Sequence, residues 1–239
     1  MLSRLDDAFT AQKQFSASAA HELRTPLAVM QTNLEVFARK KTPTIEEYQD
    51  IFGMIQNQTE RLSHLSEVLL DMTGIQSVER SDSISLAELT DEVCCDLAAI
   101  ADQKKVELIQ EEGDCTVTGS YLLLYRAVYN LVENAIKYNH SGGKVTVKIS
   151  QKKDLPAAHS KPADYALVEV TDTGIGISPE FQEKIFAPFF RVDKSRSRAM
   201  GGAGLGLALV AEIARQHGGQ VKVLASSEKG STIALVLPI

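Results

Sequence analysis

The chain has 239 residues, of which 44% are hydrophobic, and its formal net charge is -6 at pH 7. That length and apolar content are enough for one ordinary domain and a smaller one. An acidic chain lacks the broad basic surface that nucleic acid or an anionic membrane requires, so neither is expected as a partner.

The hydropathy pattern contains no signal peptide and no run of about 18 apolar residues, the length that a membrane-spanning helix needs. Three cysteines without metal-ligand spacing fit a reducing compartment better than a disulfide framework. The helical pattern begins at Leu2 without a capping residue, as if it continued a longer helix. We therefore expect the cytoplasmic part of a larger membrane protein.

The first predicted element is a helix from Leu2 to about Lys40, because apolar residues recur at steps of three and four. Residues 41–43 end it, and Thr44 to Glu47 has the form of a capping box for a second helix. The seam of that second helix contains Tyr48, Ile51, Ile55, Gln58, Leu62, Leu65, Leu69 and Met72. Two such helices predict an all-α antiparallel hairpin with a seam too wide for one partner, so we expect a homodimeric four-helix bundle.

One histidine in the first helix lies on the face opposite the apolar seam. His21 and, one turn later, Thr25 share that outer face, so both are expected to face solvent. Glu22 can keep one imidazole nitrogen protonated, which leaves the other a lone pair for attack on phosphorus. Pro26 cannot donate to the helix ladder and is expected to bend or loosen it. A lone helical histidine is usually structural, but these neighbours favour a nucleophile.

A short polar stretch, residues 74–83, ends the second helix, and the domain boundary is placed there, between residues 1–78 and 79–239. The pattern beyond it predicts helices at 85–104, 120–138 and 204–217, a short one from residue 178, and strands at 106–110, 115–118, 144–151, 166–171, 220–225 and 231–237. Mixed helices and strands with hairpin connections predict an α+β class, a mixed sheet covered by helices on one face.

The helix predicted at 120–138 divides into an apolar and a polar face. Its polar face carries Asn130, Asn134 and Lys137. Asparagine is a poor residue within a helix, so two on one face require an explanation beyond ordinary solvation. Amide oxygens can bind Mg²⁺ that is held mainly by phosphates and water, without adding charge repulsion toward those phosphates.

Two glycine motifs follow this helix. Residues 172–176 (DTGIG) come after a strand, and residues 201–207 (GGAGLGL) open a helix. The first is weak evidence alone, because Asp-x-Gly is a common turn, whereas glycines at a helix N-terminus let backbone amides approach a phosphate. Residues 191–198 (RVDKSRSR) form a local basic cluster between the motifs, either a solvated loop or a mobile lid over a triphosphate.

Taken together, these motifs resemble those of the sensor histidine kinases of two-component systems. Residues 21–27 (HELRTPL) resemble the phosphoacceptor box of that family. Residues 130–135, 172–176, 186–189 and 202–206 resemble the N, G1, F and G2 boxes of its GHKL-type ATP-binding domain. The resemblance covers nearly the whole chain in the family's order and spacing.

The resemblance implies a histidine kinase that passes the γ-phosphoryl group of Mg-ATP to His21 and then to an aspartate of a response regulator. It implies that Glu22 acts as a base or orienting group, and that Thr25 places a water when the same module dephosphorylates the regulator. The nucleotide-binding residues that it implies are Asn130, Asn134, Lys137, Tyr138, Asp172, Gly174, Gly176, Arg191, Gly202, Gly204, Leu205 and Gly206. The full-length protein would then lie in the bacterial cell membrane, with a sensor region preceding this cytoplasmic part.

Within that list the resemblance gives each polar residue a role. Asn134 would bind Mg²⁺ with Asn130 beside it, and Lys137 and Arg191 would meet phosphates. Tyr138 would pack on adenine, while Asp172 would receive the adenine amino group.

Two other functions remain as alternatives. A GHKL ATPase of the chaperone or DNA-repair kind would use hydrolysis to drive clamping, but such relatives use a glutamate to activate water where this chain has Asn130. A nucleotide-sensing dimerisation scaffold without turnover is the other alternative, and the intact motifs argue against it.

Overall fold

The computed structural model describes residues 2–75, 78–155, 163–192 and 204–239. The chain divides into two compact units, one that ends at Asp71 and one that begins at Met72. None of the helices in the described ranges is long and apolar enough to cross a membrane.

The first unit is built from two long helices, α1 (Leu2–Ala38) and α2 (Ile45–Gly74). The capping box predicted before α2 is confirmed. The Glu47 amide donates to Thr44 Oγ1 at 3.3 Å, and the Thr44 amide donates to Glu47 Oε2 at 3.1 Å. This exchange satisfies two amides that the first turn of a helix leaves without intrahelical partners.

Two contacts between α1 and α2 fix their direction. The rings of Phe37 and Tyr48 pack edge to face with centroids 5.0 Å apart, close to the turn. Arg61 pairs with Glu22 at 3.2 Å, farther from the turn on both helices. Residues equally distant from the turn therefore meet, which confirms the predicted antiparallel hairpin.

The second unit contains three helices and seven strands within the described ranges. The helices are α3 (Leu86–Lys104), α4 (Tyr121–Lys137) and α5 (Gly206–Gln216). The strands are β1 (Asp82–Ser85), β2 (Glu107–Gln110), β3 (Thr116–Gly119), β4 (Lys144–Leu155), β5 (Ala163–Asp172), β6 (Gln220–Ser227) and β7 (Gly230–Pro238). Two single 3₁₀ turns, Pro179–Phe181 and Lys184–Phe186, lie between β5 and α5.

The main sheet has five strands in the order β2-β4-β5-β7-β6. The pair β2 and β4 is parallel, and the other neighbours are antiparallel. Along β4, Val145 and Val147 are fully buried whereas Lys148 between buried neighbours is exposed, as expected for a strand with one face in the core. Because α4 contacts β4, β5, α3 and α5, it is the central helix of the layer. The predicted α+β class with a mixed sheet is confirmed.

The sequence missed β1 and misplaced several strand ends. β1 pairs with β3 in a separate two-stranded antiparallel sheet. Its four residues include two serines and carry no clear alternation, so the strand depends on β3, more than 30 positions away in the chain, where Asp82 pairs with Gly119 and Ser85 with Thr116. β4 extends to Leu155 rather than to residue 151, because it pairs with the early part of β5.

A buried histidine joins the start of α4 to the end of α5. The Ser120 amide donates to His217 Nε2 at 3.1 Å, and His217 Nδ1 lies 2.8 Å from the Ile213 carbonyl oxygen. An amide can only donate and a carbonyl can only accept, so the imidazole is neutral with its proton on Nδ1. Gly119 makes room for the ring, since a Cβ there would lie 2.6 Å from His217 Cδ2.

This geometry predicts an acid-sensitive free energy of unfolding. Burial lowers the pKa of His217 below 6.5, the nearby charge of Arg80 lowers it further, and the bond to Ile213 opposes both. The unfolded chain therefore binds the proton more readily, so this contribution to stability is complete above pH 6.5 and decreases as the pH falls below it. We expect a slope of at most about 1.4 kcal/mol per pH unit, which His217→Gln removes.

The measurement is urea unfolding between pH 5 and 8, followed by tyrosine fluorescence, because the chain has no tryptophan and all tyrosines except Tyr48 lie in the second unit. The exposed His140 supplies the matched control, and His140→Gln should keep the slope. An equal slope in His217→Gln and the unmodified chain would contradict the assignment.

Candidate functional site

The predicted phosphoacceptor residues lie on the outer surface of α1. His21 is exposed and Thr25 is half-buried, and both line a surface depression with Arg24. Thr25 Oγ1 donates to the His21 carbonyl oxygen at 3.0 Å, so its two lone pairs are directed away from that bond. Pro26 is buried and α1 continues through it, so the predicted loosening does not interrupt the helix.

Glu22 has a different partner from the one expected. Its Oε2 accepts a bond from Arg61 Nη2 of α2 at 3.2 Å, and both side chains are largely buried in this pair, with 17% and 14% exposed. The carboxylate is thus held by α2 in this structure, although it follows His21 directly in the chain. The carboxylate can turn to the imidazole only if Arg61 releases it.

The N-box asparagines lie in the middle of α4 and have a common geometry. The Asn130 amide nitrogen donates to the Arg126 carbonyl at 2.8 Å, and that of Asn134 donates to the Asn130 carbonyl at 2.7 Å. Each side chain therefore uses its NH₂ group on its own helix, which leaves Oδ1 as the outward acceptor. The Asn130 Oδ1 faces Gly206, where an added Cβ would lie only 2.6 Å away. This contact brings the second glycine motif onto the N-box face.

The first glycine motif packs against the C-terminal end of α4. The Ile175 amide donates to the Tyr138 carbonyl at 3.3 Å. A Cβ on Gly174 would lie 2.4 Å from the same carbonyl oxygen, so only glycine permits this approach. The first glycine motif is therefore held against Tyr138, at the C-terminal end of the helix that carries Asn134.

Asp172 lies at the start of this motif as a half-buried acceptor. Burial raises the pKa of its carboxyl, and bonds from the Gly174 and Ser231 amides partly offset that effect. The Gly174 amide lies 2.7 Å from Asp172 Oδ1. These two amides orient a carboxylate that can accept a further hydrogen bond, as recognition of an amino group requires.

Positive charge is concentrated beside the end of α4. Burial is the main cause that lowers the pKa of Lys137, and Glu133 opposes it. The charges of Arg191 and Lys104 lower it further, which shows that these cations lie near Lys137. Crowded, partly buried cations are unfavourable alone and become favourable beside a polyanion, so this end of α4 suits phosphate groups.

The second glycine motif is described from Gly204 onward. Gly204 has φ +73° and a Cβ there would lie 2.7 Å from the Phe190 carbonyl oxygen. Leu205 is 1% exposed, so its side chain anchors the start of α5 in the core. Gly202 and residues 193–198 of the predicted basic lid lie outside the described residues.

Sequence reasoning missed the contribution of the hairpin between β6 and β7. Ser231 donates its amide to Asp172, and a Cβ on Gly230 would lie 1.9 Å from the Asp172 carbonyl oxygen. The available signal was Gly230 at the head of a predicted strand. Recognising its role required the pairing of β5 with β7, which is non-local.

The donor set fits a magnesium ion that is held mainly by a nucleotide. The described residues contain no group of three or more His, Cys, Asp or Glu side chains that could hold a metal ion by themselves. Neutral amide oxygens of Asn130 and Asn134 beside the cations Lys137 and Arg191 suit a hard cation whose other ligands are phosphates and water.

Comparison with known proteins gives matches over both units. Residues 11–77 match the His Kinase A (phospho-acceptor) domain, and residues 119–239 match the family described as Histidine kinase-, DNA gyrase B-, and HSP90-like ATPase. Sensor histidine kinase RppB of Synechocystis sp. is 35% identical over 237 residues, which cover 97% of this chain and 50% of that protein. The chain spans about half the length of the curated relatives it matches.

Solved structures share the fold. The structure of histidine kinase ThkA in complex with response regulator protein TrrA has a TM-score of 0.71 at 21% identity, over 98% of this chain and 63% of that chain. Full-length ShkA in complex with AMPPNP has a TM-score of 0.63 at 23% identity, over 95% of this chain and 45% of that one. The chain therefore belongs to the family of histidine kinase-, DNA gyrase B- and HSP90-like ATPases, and its phosphoacceptor domain makes it a member of the sensor histidine kinases.

Proposed function

We propose that this chain is the kinase core of a two-component system, an ATP:protein-histidine phosphotransferase that phosphorylates itself on His21. The observation that carries the proposal is the assembly of both glycine motifs on the two ends of the N-box face of α4. An exposed histidine in the other unit supplies the acceptor. One ATP site and one outward nucleophile are the parts that autophosphorylation needs.

In this proposal the nucleotide lies along α4. Asp172 accepts the adenine amino group, and Tyr138 packs on the ring. Lys137 and Arg191 neutralise phosphate charge, and Asn134, with Asn130 beside it, binds Mg²⁺, which would neutralise further charge on the transferred group. The glycines at 174, 176, 202, 204 and 206 and the anchored Leu205 let the backbone close around the phosphates.

The transfer step needs little covalent chemistry from the protein. One imidazole nitrogen of His21 attacks the γ-phosphorus, the bond from that phosphorus to the β–γ bridging oxygen breaks, and ADP leaves. Glu22, released from Arg61, receives or orients the proton on the other ring nitrogen. Positioning and charge neutralisation then supply most of the rate. The phosphoramidate formed at His21 passes to an aspartate of a response regulator.

The partners of this chain follow from its first unit. Large apolar side chains of the hairpin remain exposed in the single chain, among them Leu34, Tyr48 and Phe52 at 45%, 47% and 68%. Leu65 of the predicted seam is already 2% exposed, so its burial does not need a second chain. We propose that the exposed set joins two copies into a four-helix bundle and that the surface around His21 docks the regulator.

We further propose that residues 1–78 act as the dimerisation and phosphotransfer domain and residues 79–239 as the ATP-binding domain. The matched ranges 11–77 and 119–239 support this division. The relatives are named as sensors and are about twice as long as the matched region, which supports a cytoplasmic position behind a sensor region in the bacterial cell membrane.

A hydrolytic clamp is the competing function, and the α4 geometry speaks against it. At the place where such ATPases carry a glutamate to activate water, Asn130 offers a neutral amide whose nitrogen is bonded to its own helix. A neutral amide cannot accept a proton from water.

The first functional prediction concerns His21→Gln. Because the nucleophile and the nucleotide site belong to different units, the variant should bind AMP-PNP with unchanged affinity but incorporate no label from γ-labelled ATP. His140→Gln, which replaces an exposed histidine of the second unit, should be labelled like the unmodified chain. Acid-labile label retained on His21→Gln would show that another side chain accepts the phosphoryl group.

The second functional prediction concerns the metal ligand. Asn134→Ala removes the amide oxygen, so the gain in AMP-PNP affinity on adding Mg²⁺ should fall by about tenfold or more in calorimetric titration. Asn33→Ala is the matched control, because the Asn33 side chain makes the same bond four residues back, to the Val29 carbonyl at 2.8 Å. An undiminished Mg²⁺ effect in Asn134→Ala would remove Asn134 from the site.

The third functional prediction separates the two directions of phosphate flow. Thr25→Ala keeps a good helix former, so autophosphorylation should stay within a few-fold of normal. Dephosphorylation of a regulator that accepts phosphate from this chain should slow by about tenfold or more, because the hydroxyl no longer places a water. Thr59→Ala controls for the helix, since Thr59 makes the same bond to the Ile55 carbonyl at 2.9 Å. Equal changes in both rates would leave Thr25 without a phosphatase role.

A further inference from the structure

The first glycine motif has a second anchor that its own sequence does not reveal. One end of the motif is tied to α4 through Ile175 and Tyr138. At the other end, the Ile177 amide donates to Ser226 Oγ of β6 at 2.7 Å. The loop is therefore hydrogen-bonded at one end to the end of α4 and at the other end to β6, an edge strand of the main sheet.

Ser226 is itself held by its neighbours on the β6–β7 hairpin. Its Oγ lies 2.9 Å from Ser231 Oγ and 3.5 Å from the Gly230 carbonyl oxygen. Since an amide can only donate, the Ser226 oxygen accepts from Ile177 and its own proton points to the hairpin. Ser231 is 5% exposed, and its amide donates to the Asp172 carboxylate. The two serines thus bond to both ends of the loop, at residues 172 and 177.

The backbone of the hairpin also limits where the loop can lie. Gly176 has φ +69°, and a Cβ there would lie 1.8 Å from the Ser227 carbonyl oxygen. The loop is in direct backbone contact with β6 at this point, so the Ile177 amide needs an acceptor from the same strand. Ser226 supplies that acceptor, and alanine would leave the amide without it.

We propose that Ser226 is a positioning residue that holds residues 172–177 in the conformation that receives the nucleotide base, an inference that rests on the proposed function. Without the bond, the loop samples other conformations. Nucleotide then binds only the fraction of molecules whose loop is in the competent conformation, so the apparent affinity falls in proportion to that fraction. Once nucleotide is bound the loop is in place again. Loss of the Ser226 bond should therefore raise the KM for ATP and weaken nucleotide affinity. It should leave kcat for autophosphorylation nearly unchanged.

The test compares Ser226→Ala, Ser226→Thr and Ser227→Ala in the full chain. Ser226→Ala should bind AMP-PNP about three- to tenfold more weakly and raise the KM for ATP by the same factor, as expected for one lost hydrogen bond. Ser226→Thr keeps the hydroxyl and should restore both values. Ser227→Ala is the matched control. Among the described residues, the Ser227 hydroxyl accepts a bond from the Lys229 amide of the same hairpin, at 3.2 Å.

A second measurement is independent of nucleotide chemistry. Hydrogen exchange of the peptide covering residues 173–181, recorded by mass spectrometry without nucleotide, should be faster in Ser226→Ala and normal in Ser226→Thr and Ser227→Ala. Unchanged exchange and affinity in Ser226→Ala, or an equal loss in Ser226→Thr, would overturn the positioning role. Failure of the unmodified chain to bind AMP-PNP would instead contradict the proposed function, while the exchange result would still decide the role of Ser226.

Discussion

The nucleotide site depends on glycine contacts so close that a side chain at the glycine would clash with its neighbour. A Cβ on Gly174 would lie 2.4 Å from the Tyr138 carbonyl, one on Gly206 would lie 2.6 Å from Asn130 Oδ1, and one on Gly176 would lie 1.8 Å from the Ser227 carbonyl. Heavy atoms cannot remain at such distances, so a larger residue in place of Gly174 would push the loop away from the end of α4, and one in place of Gly176 would push it away from β6. A larger residue in place of Gly206 would displace the Asn130 side chain from its position. The polar face of α4 becomes a binding surface only because glycine brings both motifs onto it.

The close contacts of these glycines also explain which parts of the site could be predicted from the sequence. Periodicity identified α4, and its Ser120 cap and its buried face agree with the prediction, with Leu124 and Val128 fully buried. The glycine motifs were recognisable because they follow α4 in the order and spacing of the ATP-binding domain that they resemble, although the first is a common turn by itself. The partners of those glycines were not predictable, since Tyr138 and Ser227 meet them only after the sheet has formed. β1 was missed for the same reason, because its four residues are a strand only beside β3.

The phosphoacceptor side shows a second limit of local reasoning. The exposed position of His21 followed correctly from the helical period. The pairing of Glu22 did not, because the charge that attracts its carboxylate comes from Arg61 on the other helix of the hairpin. Sequence neighbours on a helix point about 100° apart, so a carboxylate beside an imidazole in the chain is free to find a partner elsewhere. In the proposed function, a rearrangement that separates Arg61 from Glu22 would make this carboxylate available to His21.

The proposed function requires that His21 carries the phosphoryl group as a phosphoramidate. It is tested most directly by incubating the unmodified chain with Mg-ATP at neutral pH and locating the phosphate by mass spectrometry under conditions that preserve phosphohistidine. We expect phosphate on the peptide containing His21, lost in acid and stable in base. Phosphate on a serine, threonine or aspartate instead, or release of free phosphate without any labelled residue, would contradict it.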